Sequence, residues 1–187
     1  MISFEQVMAF TSKVSSHTAF EDEECRLFYD TLVQLPDKST VVEIGVEYGR
    51  STSIILQVAK ALAHRVILID PFVGAEGGSS FMHMSDKIGH PFILFKMTTH
   101  QYVYQGLSFP SCNFIHIDGS HTTDELTFDC EWMLPKVEQG GYACFHDYGR
   151  HSLPEVYPVV NQFVRNDKWE EAAHKGTLLV MRRLRDQ

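Results

Sequence analysis

An apolar run that breaks into a glycine loop and then opens a helix constrains this chain more than any other feature. Residues 41–44 read Val-Val-Glu-Ile, and Gly45 and Gly49 bracket the loop that follows. A second apolar run, residues 66–69, ends in Asp70. Glycine lets a strand-to-helix turn adopt geometries closed to other residues and lets the backbone approach a ligand. An acid at the tip of the next strand can accept hydrogen bonds from ribose hydroxyls, so the two pieces predict a nucleoside-binding crevice.

The spacing of the loop glycines distinguishes between nucleoside ligands. A dinucleotide fingerprint has the spacing G-x-G-x-x-G, and its second glycine lets a pyrophosphate lie against the helix N-terminus. Position 47 here is Glu47, and Glu43 adds a second carboxylate at the strand end. Because two carboxylates repel a pyrophosphate and attract positive charge, the loop favours an adenosyl sulfonium that carries an amino group.

Composition limits the class of protein and its partners. A chain of 187 residues, with 44% hydrophobic and 21% charged residues, is expected to form one soluble domain with a real core. Its net charge is -8 and its Lys and Arg residues are scattered, so a nucleic-acid substrate is disfavoured. The four cysteines form no C-x-x-C pair, which predicts reduced thiols and a cytoplasmic location. No apolar run approaches the length of a membrane span or a secretion signal.

Strand and helix patterns alternate along most of the chain. An amphipathic helix is predicted over residues 21–35, closed by Pro36. Strands are then predicted at 41–45, 65–70, 92–96, 113–118, 141–146 and 177–182, and helices at 50–62, 122–134 and 155–166. Near-continuous apolar strands that alternate with helices predict an α/β fold with a mostly parallel sheet and helices on both faces.

Residues 71–91 interrupt this alternation. Five glycine and serine residues between positions 74 and 80 precede Phe81, Met82 and Met84. The segment follows a strand at the carboxyl edge, where parallel sheets bind ligands, and it is too long for a plain connection. We predict a mobile substrate loop here, and a poorly ordered insertion is the alternative.

A second polar cluster follows two later strands. Asp118 and His121 lie at the end of one apolar strand, and His146 and Asp147 lie at the end of the next. The carboxyl ends of parallel strands meet at one edge of a sheet, where ligands bind. The four side chains are therefore expected to converge.

Taken in order, these motifs resemble those of a known family. They are Glu43-Ile44-Gly45 through Ser51, Ile69-Asp70, Ile117-Asp118-Gly119-Ser120-His121 with Asp129, Gly140-Gly141, and Phe145-His146-Asp147-Tyr148. The set resembles the class I S-adenosylmethionine-dependent methyltransferases. More narrowly, it resembles a small stand-alone subfamily with I-D-G-x-H and H-D-Y signatures, related to sugar and natural-product O-methyltransferases.

The resemblance implies one methyltransferase domain over residues 1–187. Residues 1–37 would form an N-terminal helical segment, and residues 38–183 would form a Rossmann-like, doubly wound core. Its sheet would have seven strands and end in an antiparallel hairpin, so that the final strand is antiparallel. The implied methyl donor is S-adenosyl-L-methionine.

The resemblance also maps donor binding onto particular residues. The loop at 45–49 would lie beneath the methionine part of the donor, with Glu43 supporting that loop, and Asp70 would hold the ribose. Adenine contacts are expected near residues 98–100, where the match to the family is poor. The implied donor-binding residues are Glu43, Gly45, Glu47, Gly49, Ser51, Asp70 and Asp118.

Several related O-methyltransferases bind a divalent cation through an acid after the fourth strand and a pair of residues after the fifth. The equivalent residues here are Asp118, His146 and Asp147. A histidine in place of a carboxylate suits manganese, iron or zinc better than magnesium. Whether this chain needs Mg, Mn or a similar cation stays open at this stage.

Methyl transfer to an alcohol needs a group that takes up the hydroxyl proton. His146 or His121 could be that base, with Asp147 orienting it. The expected acceptor is a small hydroxylated metabolite of the sugar or natural-product type. A homo-oligomer is a further expectation, since the N-terminal helix could cover a partner subunit. Two other functions stay open: a nucleotide-dependent oxidoreductase, and a catalytically inactive ligand-binding protein on the same fold.

Overall fold

Seven strands of the described chain join in one sheet. The computed structural model describes residues 2–14, 20–72 and 75–185. The strands are β1 Thr40–Ile44, β2 Arg65–Ile69, β3 Phe92–Phe95, β4 Cys112–Ile117, β5 Val137–Phe145, β6 Trp169–Lys175 and β7 Leu178–Arg183. The helices are α1 Phe4–Val14, α2 Asp22–Leu32, α3 Arg50–Leu62, α4 Ala75–Ile88, α5 Thr99–Tyr104, α6 Thr123–Met133 and α7 Val156–Val164. A short 3₁₀ helix, Leu134–Lys136, joins α6 to β5.

The strand order across the sheet is β3-β2-β1-β4-β5-β7-β6. Strands β1 to β5 pair in parallel, and β7 pairs antiparallel with both β5 and β6. The predicted seven-stranded, mostly parallel sheet with an antiparallel final strand is therefore confirmed. Only the family resemblance implied β6, because this edge strand is mostly exposed and its sequence has no apolar alternation.

Alternate residues of the central strands point to opposite faces of the sheet. In β1, Val42 and Ile44 belong to one apolar core, which α5, α6 and α7 complete. Val41 belongs to a second core, which α1, α2, α3 and α4 complete. The central strands are thus buried on both faces. This burial explains their near-continuous apolar sequences and confirms the prediction of helices on both sides.

The N-terminal helices pack within their own chain and complete the second core. Thr11 Oγ1 of α1 lies 2.6 Å from Ser53 Oγ of α3, and Gln57 of α3 donates a hydrogen bond to the carbonyl of Val7. Helix α2 ends at Leu32, slightly before its predicted end.

All four cysteines are buried and free. Within the described ranges, no helix combines the length and the apolar character that a membrane span needs.

The prediction of a loop over residues 71–91 is wrong for most of that segment, and the role of the segment toward the substrate stays a prediction. Helix α4 occupies it, and Phe81 and Met84 are buried in the second core. Residues 73–74 lie outside the described residues. Phe81, Met84 and Ile88 follow the i, i+3, i+7 spacing of a helix face, and the glycine and serine residues before them concealed that pattern.

Replacing Phe81 by Ala is expected to destabilise the protein by about 3–5 kcal/mol, because it removes a fully buried ring. Met82 of the same helix is 46% exposed, so Met82→Ala should change the free energy of unfolding by less than about 0.5 kcal/mol. Urea denaturation followed by circular dichroism measures both. Equal effects of the two substitutions would contradict the packing of α4 on the sheet.

Candidate active site

A cleft of about 790 Å³ opens at the carboxyl ends of the parallel strands. Loops after β1 to β5 contribute to it, as expected for the ligand-binding edge of such a sheet. The sequence-predicted site residues that line it are Gly45, Glu47, Gly49, Ser51, Asp70, Asp118, His121, His146 and Asp147. The remaining predicted residue, Glu43, lies behind the cleft wall and is fully buried.

The loop between β1 and α3 requires glycine at two positions. Gly45 has φ +86°, and a Cβ atom there would overlap the carbonyl oxygen of Asp118. Gly49 has φ +80°, and a Cβ atom there would lie 2.7 Å from the Cε atom of Met84. Glycine therefore lets this loop pack tightly against the end of β4 and against α4, which leaves the space over the loop to the cleft.

Glu43 ties the loop to the sheet from beneath. Its Oε1 atom accepts a hydrogen bond from Ser51 Oγ at 2.5 Å and lies 3.1 Å from His116 Nδ1. Its Oε2 atom accepts a hydrogen bond from Thr52 Oγ1. These contacts join β1, the start of α3 and β4. The role of Glu43 in supporting the donor loop, which the family resemblance implies, stays a prediction.

Asp70 holds the other side of the same loop. Its Oδ2 atom accepts hydrogen bonds from the backbone amides of Val46 at 2.6 Å and Glu47 at 2.9 Å. Its Oδ1 atom accepts from the amide of Phe72. A carboxylate has about four acceptor sites, so ribose hydroxyls could still bind to this side chain. The contact with ribose stays a prediction.

The polar residues after β4 and β5 converge on His146. Its Nδ1 atom lies 3.3 Å from Asp118 Oδ1 and 3.5 Å from Asp147 Oδ2. Its Nε2 atom lies 3.4 Å from Glu24 Oε2 and 3.4 Å from Thr177 Oγ1. Only 3% of the His146 side chain is exposed. The ring is therefore enclosed between carboxylates on two sides.

The sequence analysis missed Glu24, which lies on α2 and is 1% exposed. Its Oε1 atom accepts hydrogen bonds from the backbone amide of Thr177 at 2.6 Å and from the Thr177 hydroxyl at 2.9 Å. A Cβ atom at Gly176 would lie 2.5 Å from the same oxygen, so glycine is what lets the carboxylate approach the turn between β6 and β7. The pairing of Glu24 with Glu21 in a capping box marks a helix start, and it carries no signal of a contact with His146.

Opposite charges lie close together in this cluster. Burial alone would lower the pKa of His146, but hydrogen bonds to Asp118, Asp147 and Glu24 outweigh burial and raise that pKa to about 12. Burial would raise the pKa of Asp118, yet its contacts with His121 and His146 lower it to about 2. Burial would also raise the pKa of Asp147, yet hydrogen bonds with His121, His146 and Arg150 hold that pKa well below its ordinary value. At neutral pH, His146 is therefore an imidazolium, and both aspartates are carboxylates.

His121 lies at the mouth of the cluster, with 31% of its side chain exposed. Its Nε2 atom is 2.8 Å from Asp147 Oδ2 and 3.7 Å from Asp118 Oδ1. That nitrogen is buried and makes no well-directed hydrogen bond with any described residue. Contact with Asp118, and then with Asp147, raises the pKa of His121 to about 9. Both imidazoles line the cleft, and His121 is the more exposed of the two.

Three side chains of the cluster fit a divalent cation. Asp118, His121 and Asp147 each offer a ligand atom, and these atoms lie within 4.8 Å of one another. Two carboxylates with one imidazole suit manganese or zinc, and the buried Nε2 of His121 has no other partner among the described residues. The sequence-based set contained His146 instead of His121. His146 faces the same two acids, but Glu24 contacts its far side.

Asp147 has a further partner that the sequence analysis did not name. Arg150 Nη1 donates a hydrogen bond to Asp147 Oδ1 at 2.6 Å. Asp147 also has φ +57°, which an ordinary residue adopts at a cost of roughly 1–3 kcal/mol. The surrounding ion pairs hold the residue in this conformation and aim its carboxylate at His121.

The opposite end of the cleft lies after β3. The residues that line this end are Met97, Thr98, Thr99, Glu125 and Asp129. Thr98 caps α5 by accepting a hydrogen bond from a backbone amide of that helix. His100 does not line the cleft, because its ring stacks on Phe128 at 3.6 Å between centroids. Of the residues expected near adenine, Thr98 and Thr99 reach the cleft.

A sheet of this order, with a glycine loop after β1, an acid after β2 and polar residues after β4 and β5, defines a class I S-adenosylmethionine-dependent methyltransferase. The model of the methyltransferase domain family matches residues 42–148, more than half of the chain, and the chain belongs to this family. The predicted class of enzyme and its S-adenosylmethionine donor are thereby confirmed. Family membership favours this activity over the nucleotide-dependent oxidoreductase considered from the sequence.

Solved structures share the fold over nearly the whole chain. CalS11, a TDP-rhamnose 3′-O-methyltransferase of calicheamicin biosynthesis, has a TM-score of 0.65 at 12% identity and covers 97% of this chain and 96% of its own. The O-methyltransferase from Bacillus cereus in complex with SAH has a TM-score of 0.69 at 13% identity, over 95% and 88%. Cofactor-bound Rv0187 from MTB has a TM-score of 0.73 at 10% identity, over 98% and 89%. A search of curated proteins finds no matching sequence.

Glu24→Gln is expected to destabilise the protein by about 3 kcal/mol at pH 7, because it removes one partner of a buried ion pair. Burial would raise the pKa of Glu24, but hydrogen bonds from His146, Glu21 and Thr177 lower it below 4.5. Its contribution is therefore present above pH 4.5 and is lost as the pH falls through the lowered value. Thermal unfolding of both proteins should show a gap at pH 7 that narrows in acid.

Glu23→Gln is the matched control for this measurement, since Glu23 is the exposed neighbour on the same helix. It should change the free energy of unfolding by less than about 0.5 kcal/mol. If Glu24→Gln and Glu23→Gln gave the same melting temperature, the ion pair with His146 would contribute nothing to stability.

Proposed function

We propose that this methyltransferase transfers its methyl group to a hydroxyl of a small molecule and that His121 accepts the hydroxyl proton. The observation that carries the proposal is the contact of 2.8 Å between His121 Nε2 and Asp147 Oδ2 at the open side of the cleft. This pair places a half-buried imidazole in contact with a carboxylate. Acid-base catalysis on a poor nucleophile such as an alcohol needs such a pair.

Methyl transfer displaces a neutral thioether from a sulfonium while the acceptor oxygen loses its proton. The protein must hold the donor and the acceptor in line, which converts a bimolecular step into an internal one. Glu47, Asp70 and Asp118 line the cleft and would attract the positive donor. The acceptor would then lie on the side of His121 and Asp147, after β4 and β5.

His146 has a positioning role in this proposal. Its imidazolium is enclosed by Glu24, Asp118 and Asp147, so it has no free site for a further proton. What it does instead is hold the two aspartates in place. Asp147 is thereby kept in contact with His121, and Asp118 is kept beside the donor loop.

A divalent cation is a second way to activate the hydroxyl. Asp118, His121 and Asp147 would hold it, and when bound it would lower the pKa of the acceptor hydroxyl. In that case His121 would be a ligand of the ion, and the proton would pass to another acceptor. His121 cannot accept the hydroxyl proton and bind the cation in the same turnover. Experiment can therefore separate the two roles.

The size and charge of the cleft support a small acceptor. A volume of about 790 Å³ lies in the range of small-molecule sites. The net charge of -8 disfavours a nucleic-acid substrate. CalS11 and the Bacillus cereus enzyme are named as O-methyltransferases, and the first is named as a TDP-rhamnose 3′-O-methyltransferase. We therefore propose a hydroxylated metabolite of the sugar or natural-product type as the acceptor. Assembly into a homo-oligomer, expected from the sequence, also stays a proposal.

The wild-type protein should bind S-adenosylhomocysteine, which raises its melting temperature, and should methylate a hydroxyl in a panel of catechols, hexoses and nucleotide sugars. Release of S-adenosylhomocysteine measures turnover, and mass spectrometry with NMR locates the new methyl group. Binding without turnover on any acceptor would favour the inactive ligand-binding alternative. Methylation of amines alone would overturn the proposed acceptor class.

His121→Asn should lower turnover by roughly 10²–10⁴-fold, the usual contribution of a general base, with little change in the affinity for S-adenosylhomocysteine. The pKa of His121 is raised to about 9, so the wild-type rate should climb with pH up to that value, as the neutral imidazole forms. The variant should lose this climb. His83→Asn, on the exposed face of α4, is the control. Loss of wild-type activity in EDTA, with recovery in Mn²⁺, would instead assign His121 to cation binding.

A further inference from the structure

Arg150 is a cation of the cleft wall whose hydrogen-bonding capacity is mostly unused. It follows β5, and 40% of its side chain is exposed. Two turns fix its backbone. The Arg150 amide donates a hydrogen bond to the carbonyl of Asp147 at 3.1 Å, and the Leu153 amide donates one to the carbonyl of Arg150 at 2.9 Å. Arg150 therefore presents an accessible guanidinium to the cleft from a fixed position.

The guanidinium of Arg150 has one partner within the described ranges. An arginine side chain carries five N–H donors in a planar fork. Nη1 of Arg150 donates a hydrogen bond to Asp147 Oδ1 at 2.6 Å, while its Nε and Nη2 atoms form no hydrogen bond with any described residue. Nε and Nη2 lie on one edge of the group. Such an edge binds a carboxylate or phosphate through two parallel hydrogen bonds.

The carboxylates near Arg150 are matched by positive groups, so they do not bar an anionic ligand. Each of them contacts an imidazole, and Arg150 adds a further positive charge to the cluster. The contacts run from Glu24 and Asp118 to His146, and from Asp147 to both His121 and His146. A buried charge with its partner in place attracts or repels a further ion much less than an unpaired one.

Arginine occurs at two places in the cleft wall. Arg50 begins α3 beside the donor loop, and its Nη2 atom pairs with Asp22 Oδ1 at 3.0 Å. Arg150 lies after β5, on the side proposed for the acceptor. Apart from histidines, no other cationic side chain among the described residues lines the cleft. Arg150 is therefore the guanidinium that an acceptor beside His121 would meet.

One carboxylate links Arg150 to the proposed proton acceptor. Asp147 Oδ2 lies 2.8 Å from His121 Nε2, and Asp147 Oδ1 accepts the hydrogen bond from Arg150. The imidazole and the guanidinium thus flank the two oxygens of the same side chain. A single small molecule can reach both groups if its hydroxyl and its anionic group are separated by only a few bonds.

We propose that the methyl acceptor carries an anionic group, a carboxylate or a phosphate, close to the hydroxyl that is methylated, and that Arg150 binds this group. The inference rests on the proposed function, because His121 marks the place of the hydroxyl. Binding through Nε and Nη2 leaves the bond from Nη1 to Asp147 intact. Arg150 is then a specificity residue that selects hydroxylated anions over neutral alcohols.

The test measures binding and uses probes that differ in the anionic group. Catechol is compared with protocatechuate, and glucose with glucuronate and glucose 6-phosphate, by calorimetric titration of the wild-type protein with bound S-adenosylhomocysteine. At least one anionic probe should bind roughly tenfold to a hundredfold more tightly than its neutral counterpart, as expected for hydrogen bonds to a charged group. The glucuronate and phosphate arms distinguish the two kinds of anion.

Arg150→Gln removes both the charge and the fork, so this preference should disappear. Arg150→Lys keeps the charge without the fork and should retain part of it. Arg182→Gln is the matched control, since Arg182 is an exposed arginine that pairs with Glu170 away from the cleft. A mere displacement of Asp147 would weaken the binding of charged and neutral probes alike and would leave their ratio unchanged.

Each outcome decides the inference. Equal wild-type affinities for all charged and neutral probes, or an unchanged preference in Arg150→Gln, would overturn it. Should Arg150→Gln fail to fold, Arg150→Lys replaces it, and the wild-type comparison requires no variant. Failure of the wild-type protein to bind S-adenosylhomocysteine, or to methylate any hydroxyl, would refute the proposed function instead. The two kinds of failure are therefore distinct.

Discussion

The buried imidazolium of His146 is held by carboxylates from three separate parts of the chain. Glu24 comes from α2, Asp118 from the end of β4, and Asp147 from the turn after β5. Removing one partner would leave an uncompensated charge in a site that water hardly reaches. Because Glu24 also accepts hydrogen bonds from Thr177 in the turn before β7, one ion cluster joins α2 and this turn to the cleft. The geometry of His121 and Asp147 depends on this cluster.

Charge also explains how the cleft can favour its donor and release its product. Glu47, Asp70 and Asp118 line the cleft. In the proposed complex they would face a cationic sulfonium before transfer and a thioether without that charge afterwards. The attraction therefore weakens when the methyl group leaves. The same acids oppose a pyrophosphate, which agrees with membership of a methyltransferase family rather than a dinucleotide-binding one.

Most of the sheet could be predicted because its signals are local. The predicted helix at 50–62 coincides with α3, and the parallel strands fall close to their predicted positions, since buried strands flanked by glycines or acids are distinctive. Strand β5 begins at Val137, earlier than the predicted start at residue 141. Gly140-Gly141 therefore lies within the strand and not before it. A Cβ atom at Gly141 would lie 2.7 Å from the carbonyl of Asn113, so this glycine allows β4 to approach rather than marking a turn.

The sequence by itself determined the glycine loop after β1, with Glu43 before it, and the acid at Asp70 after β2. These features are encoded within short segments, where backbone geometry follows from the residues themselves. Only the tertiary structure decided the contacts around His146. Glu24 lies 122 residues away from it in the chain, and no periodicity or spacing connects two side chains so distant. That contact, and the choice of His121 as the accessible imidazole, arise from how helices and strands pack, because packing sets which side chains are buried together.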